Sequence, residues 1–197
     1  MSRSVAIVRT GTANVRSVAE ALLRAGFEPQ FAAPEDVASA ERVVLPGVGS
    51  FGAAMATLDA EGFAEPIRDR IRAGKSTLCI CLGMQLLAAG SEESPGVRGL
   101  GVVDAVVRRL SGEVRVPQMG WNQVDASPDV HLVQSGYAYF ANSFGLFEQP
   151  PGWAASTVDH GGKFVAAIER GGVLACQFHP ELSGAWGQAL IERWLRC

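Results

Sequence analysis

STLCICLGMQLLAA, residues 76–89, is the stretch whose reading decides the fold. Thr77, Leu78, Cys79 and Ile80 make a short apolar strand, Cys81 follows, and residues 82–89 read as a helix. Only Gly83 interrupts the junction, so the strand must turn sharply and the side chain at the turn projects out of the sheet. This is the geometry of a nucleophile elbow, with Cys81 where G-x-S-x-G carries serine. Unpaired N–H groups and the dipole at the start of the following helix stabilise an anion there. The thiolate is the reactive form of cysteine. A small residue buried at the end of a core strand fits the same pattern, because unbridged cysteine is among the most buried residue types.

On the N-terminal side of this stretch, β-branched residues 4–8 predict a first strand. Asn14 is placed to cap a helix with Val15, Val18, Ala19 and Leu22 on one face, ending at Gly26. Residues 29–33 and 42–45 predict two more strands, the second breaking into Pro46-Gly47-Val48-Gly49. Residues 51–58 and 63–72 predict helices, and Gly74 stops the second. Strands alternating with helices imply right-handed crossovers and a parallel sheet between two helical layers.

Beyond Gly90 the pattern changes to short strands at 102–108, 121–124, 137–140, 153–158, 164–168 and 173–178. Gly171-Gly172 joins the last two as a hairpin. A final helix begins near Ser183, with Trp186, Leu190 and Trp194 as its buried stripe. The expected architecture is one α/β domain over residues 1–197: a mostly parallel, three-layered, flavodoxin-like core with antiparallel strands added in the second half.

With 197 residues, 48% of them hydrophobic and 19% charged, the chain can bury a core of ordinary size. A net charge of −3 offers no basic stripe for nucleic acid. No apolar run approaches the roughly 18 residues of a membrane span, and MSRSVAIVRT is too weakly apolar for a signal peptide, so a cytoplasmic protein is expected. Cys79, Cys81, Cys176 and Cys197 show neither disulfide nor zinc spacing, and with three histidines in all no metal or cofactor is expected.

One histidine sits in a telling place. The run VLACQF ends in His179-Pro180-Glu181, where Pro180 keeps His179 out of the helical region and residues two apart in an extended segment face the same way. Glu181 can then orient the His179 imidazole, and His179 can serve Cys81 as its base: the thiol version of the serine triad. A loop histidine near a solvated acid is the commoner meaning of His-x-Glu. The conjunction decides, because both residues end strands of one parallel sheet, at the edge where such folds bind ligands. The loop at Val48 also follows a strand, and its backbone together with the N–H of Leu82 makes a candidate oxyanion hole.

CLGMQLL around Cys81, QFHPELS around His179, PGVGSF from Pro46 and PQMGWNQV from Pro117 resemble the triad-type (class I) glutamine amidotransferases. The similarity spans nearly the whole chain, from GTANVRSV at residues 11–18 to the final helix. Within that family it is strongest toward the glutaminase subunits of imidazole glycerol phosphate synthase, whose branch shares PGVGSF, CLGMQ and MGWN. The resemblance implies that Cys81 expels ammonia from glutamine through a glutamyl thioester, in histidine biosynthesis. It implies a cyclase partner, a (β/α)₈ barrel, that uses the ammonia to make imidazole glycerol phosphate. It also implies that Gln85 and Glu93 hold the polar groups of glutamine, with the backbone at Gly49, Ser143 and Phe144 completing the pocket.

Several positions depart from the family pattern. Cys79 replaces a glycine of the elbow, Asn142 and Gln118 replace histidines, Phe144 a tyrosine, Leu182 a lysine and Ala13 a glycine. They leave the triad intact and alter the surroundings expected to face the partner. Two other readings stay open on sequence: a free-standing γ-glutamyl hydrolase, and an idle scaffold subunit. MGWN counts against the first and the intact triad against the second.

Overall fold

The protein is described by a computed structural model at residues 3–9 and 15–197; the expected cap at Asn14 and the departure at Ala13 lie outside these residues. In chain order the first half comprises β1 (Ser4–Ile7), α1 (Val15–Arg24), β2 (Glu28–Phe31), α2 (Pro34–Ser39), β3 (Val43–Gly47), α3 (Phe51–Ala60), α4 (Ala64–Arg72), β4 (Thr77–Cys81) and α5 (Leu82–Gln85). The second half begins with β5 (Gly90–Ser91), β6 (Val106–Arg109), β7 (Gln118–Ala126), β8 (Gly136–Asn142) and β9 (Phe144–Gly145). It continues with β10 (Ala154–Asp159), β11 (Lys163–Arg170), β12 (Val173–Cys176), a 3₁₀ turn at Pro180–Leu182 and α6 (Gly184–Leu195).

Nine strands form one sheet in the order β2-β1-β3-β4-β12-β11-β10-β7-β8. The first five run parallel and the rest antiparallel, as the change of pattern after Gly90 predicts. Alternate residues of the central strands feed two cores. Leu45, Cys79 and Ala175 pack under α2, α3 and α4. Val44, Leu78, Ile80 and Leu174 pack under α1 and α6 through Leu22, Leu190 and Trp194. Every strand position of β3, β4 and β12 is buried, which is why these segments read as continuous apolar runs rather than alternating ones.

Three expectations change. The helix predicted over 82–89 ends at Gln85. Past it, the Leu87 and Ala88 N–H groups reach back only three residues, and the carbonyls of Leu86, Leu87 and Ala88 accept N–H groups from residues 100–103. Those bonds also take residues 102 and 103 out of the strand predicted over 102–108, so β6 starts at Val106. Trp186 is only half buried; its indole stacks edge-on against Phe178, with the ring centroids 5.4 Å apart. The helix α2 has no counterpart among the predicted elements. Pro34 opens it and the Asp36 carboxylate accepts the Ala33 N–H at 2.9 Å.

Two buried charges anchor the loops. The Arg70 guanidinium donates to the carbonyls of Val37, Ala40, Glu41 and Ser76, tying the turn before β3 to the turn before β4. The Glu169 carboxylate accepts the backbone N–H groups of His131, Leu132 and Val133, fixing the β7–β8 connection. Replacing Glu169 by alanine leaves three N–H groups without their acceptor, and a loss of about 3 kcal/mol is expected in urea unfolding. Gly83→Ala should cost a similar ~1–3 kcal/mol, because an added methyl would overlap the Leu45 carbonyl oxygen.

Candidate active site

Register builds the site. Gly47 pairs with Cys81 across β3–β4, and Cys176 pairs with Ile80 across β4–β12. One step beyond β12, Gln177 therefore arrives level with Cys81, and one step beyond β3, Val48 arrives level with Leu82. The chain can turn so tightly because Gly83 sits against Leu45 and because Gly47 has no side chain: a Cβ there would lie 2.7 Å from the Gly83 nitrogen. Cys81 itself has φ +53°, the only positive φ outside glycine among the described residues. Such backbone costs of order 1–3 kcal/mol and persists where its surroundings force it.

His179 enters from the other side. Its N–H donates to the Tyr139 carbonyl at 2.9 Å, and its own carbonyl accepts the Ser183 hydroxyl at 2.6 Å. The Ser183 hydroxyl oxygen in turn accepts the Tyr139 N–H. His179 is extended, at φ −101° and ψ 94°, as a residue before proline should be. The following residues are not: Pro180–Leu182 is a 3₁₀ turn, so Glu181 reaches the imidazole by folding back rather than along an extended strand. The contact is close, with His179 Nδ1 2.8 Å from Glu181 Oε1 and both side chains buried.

With Nδ1 engaged by Glu181, Nε2 is left for Cys81, whose sulfur lines the same cavity and acts on the ring. Burial acts to lower the His179 pKa, but the Cys81 sulfur and the Glu181 carboxylate outweigh it and raise it from 6.5 to about 10. The imidazole therefore holds its proton at neutral pH beside an acidic neighbour. The other buried thiols are silenced. Burial pushes Cys79 up to about 12. Burial, joined by the negative charges of Glu169, Cys79 and Glu181, pushes Cys176 well above its ordinary value.

A cavity of about 300 Å³ opens over the sulfur. It is lined by every expected site residue except Glu181, which stands behind the ring: Cys81 and His179, Val48 and Leu82, Gly49, Gln85, Glu93, Ser143 and Phe144. Glu93 is half committed, since its Oε2 accepts the Phe51 N–H at 2.7 Å. Gln85 donates its amide hydrogens to the Phe144 carbonyl and to Gln177 Oε1. Pro117, Ala141 and Asn142 complete the wall. Gln177 was not among the expected site residues; its one sequence signal is a polar side chain closing the apolar run before Phe178. Among the described residues no group of His, Cys, Asp or Glu is arranged to hold a metal ion.

Residues 8–196 match the family described as Glutamine amidotransferase class-I. The chain belongs to that family. This amidotransferase is 42% identical to the imidazole glycerol phosphate synthase subunit HisH of Deinococcus radiodurans, over 98% of this chain and 93% of that one. It is 38% identical to the imidazole glycerol phosphate synthase hisHF, chloroplastic, of Arabidopsis thaliana, over 97% of this chain but 34% of that protein. A crystal structure of a glutamine amidotransferase has the same fold, with a TM-score of 0.77 at 22% identity and 97% of both chains covered.

The raised His179 pKa has a measurable consequence. A proton held more tightly in the fold than out of it stabilises the fold fully below pH 6.5 and ceases to do so as pH rises through about 10. In an imidazole NMR titration, His179 should titrate near pH 10. In Cys81→Ala, which removes the neighbouring sulfur, its midpoint should fall by about one unit or more. An unchanged midpoint would mean the sulfur exerts no pull on the ring.

Proposed function

We propose that this chain is the glutaminase subunit of an imidazole glycerol phosphate synthase, its residues 1–197 acting as one amidotransferase domain. The observation that carries this reading is the strained Cys81 sharing a cavity of amino-acid size with a buried, hydrogen-bonded His179–Glu181 pair. Glutamine fits with its amide over the sulfur. The free oxygen of Glu93 takes the ammonium, and Gln85 with the backbone at Gly49, Ser143 and Phe144 holds the remaining polar groups.

The Cys81 sulfur adds to the amide carbon, and the N–H groups of Val48 and Leu82 receive the charge that develops on oxygen. One such donor is worth about 3–4 kcal/mol of barrier. The C–N bond then breaks as His179 gives its proton to the departing nitrogen, releasing ammonia and leaving a thioester. His179, now neutral, takes a proton from water as that water attacks, and glutamate leaves with the sulfur restored. Glu181 holds the ring in the orientation both transfers require.

The partner of this reading is a cyclase barrel. Met119 and Trp121 are exposed on one face of β7, and the Trp121 ring lies edge-on to Tyr139 and over Gly184. Leu182 and Tyr137 are exposed as well. Met119 pairs with Ala141, which lines the cavity, so this apolar surface borders the mouth through which ammonia would leave. Exposed apolar groups of this size mark interaction sites when they cluster. The fused relative, three times the length matched here, supports a second component acting with this one.

Cys81→Ala should lower glutamine-dependent synthesis by the reconstituted pair by about a thousandfold or more while leaving ammonia-dependent synthesis intact. Glutamine hydrolysis by the chain alone should be slow and rise when the cyclase and its nucleotide are added. Equal loss of both syntheses, or full hydrolysis without a partner, would overturn the reading. A glutamine-based thiol reagent should label Cys81, not Cys79, by peptide mapping.

A further inference from the structure

We propose that Gln177 is a positioning residue for this site: its side-chain amide, locked in one orientation by Gln85, donates to the Cys81 sulfur and selects the anionic form of the nucleophile. The inference rests on the reading of Cys81 as that nucleophile and adds to it a group outside the triad.

The orientation follows from elimination along a chain of hydrogen bonds. The Phe144 carbonyl can only accept, so Gln85 must turn its NH₂ toward it, at 3.0 Å. The second hydrogen of that NH₂ is aimed at Gln177, 2.9 Å away, which must therefore present Oε1. The Gln177 NH₂ is left facing Cys81 Sγ, 3.7 Å away. An NH₂ group donates and cannot accept, so its contact with the sulfur is stronger when the sulfur has lost its proton than with the weakly accepting S–H form. Gln177 is 1% exposed and water cannot substitute for it. Its backbone is pinned by donation to the Ala166 carbonyl at 2.8 Å.

The charged and titratable surroundings of the sulfur are few. His179 faces it with Glu181 behind, and Glu93 lies across the cavity. Cys79 on β4 and Cys176 on β12 are held neutral by burial. The Ala141 carbonyl on β8, 3.9 Å from the sulfur, is an acceptor and favours the thiol. Gln177 opposes that carbonyl from the β12 side.

The test uses the full chain with Cys197→Ser, which removes the exposed thiol, and follows iodoacetamide alkylation of Cys81 against pH with no glutamine present. In Gln177→Leu the alkylation midpoint should move up by about one pH unit, a tenfold loss of reactive sulfur at a given lower pH. With glutamine, kcat should fall about tenfold while KM stays within about twofold. Gln85→Leu, which frees the Gln177 amide to rotate, should move the midpoint the same way although no substrate is bound. An unmoved midpoint in folded Gln177→Leu overturns the proposal, and so does a change confined to KM. If Gln177→Leu does not fold, Gln177→Met and Gln85→Leu decide by the same midpoint. Glutamine hydrolysis persisting in Cys81→Ala would instead remove the nucleophile assignment beneath it, a separate failure.

Discussion

Everything at the cavity depends on how closely α5 can approach the end of β3. With Gly83 against the Leu45 carbonyl and Gly47 against the Gly83 nitrogen, the chain leaves β4 with no room for an ordinary turn. The backbone at Cys81 takes a conformation that side chains avoid, and the sulfur is lifted from the plane of the sheet into the cavity. The strain is local, but its support is global. The sheet register, the capture of the Leu86–Ala88 carbonyls by residues 100–103 and the burial of both faces all hold that turn in place.

Two residues of one type illustrate how environment, not identity, assigns chemistry. Cys79 and Cys81 are two apart on one strand, yet Cys79 points into the α3–α4 core and is kept protonated by burial. Cys81 meets an imidazole, an amide NH₂ and a cavity. The glycine-to-cysteine departure at position 79 therefore places a second sulfur near the site without giving it a role: the pleat would set residues 79 and 81 on one face, and the positive φ at Cys81 turns its side chain away from the core that Cys79 fills.

The parallel core, the elbow and the extended His179 were legible, since each rests on local patterning: apolar runs for buried strands, the junction at Cys81, proline after His179; the 3₁₀ turn that folds Glu181 back onto the ring was not. The length of α5 was not. Residues 82–89 are good helix formers, and the bonds that end the helix come from residues 100–103, whose position no local pattern reveals. The α2 helix is a single turn and a half, too short to leave a periodic signal, though Pro34 and Asp36 mark its start. Gln177 lay in plain view, but its meaning depends on β12 lying beside β4 in one particular register. Glu93 could be tied to the pocket only through resemblance, because its place rests on a contact with Phe51 across 42 residues of chain.

The pairing of β4 with β12 also bears on how the polypeptide comes to life. Cys81 and its amide neighbour Gln177 are 96 positions apart in sequence, so during translation the sulfur leaves the ribosome long before its imidazole and its hydrogen-bond donor. Until the centre of the sheet closes, the sulfur has neither the imidazole nor the Gln177 amide beside it. The surroundings of Cys81 are thus assembled by the same strand pairing that completes the core.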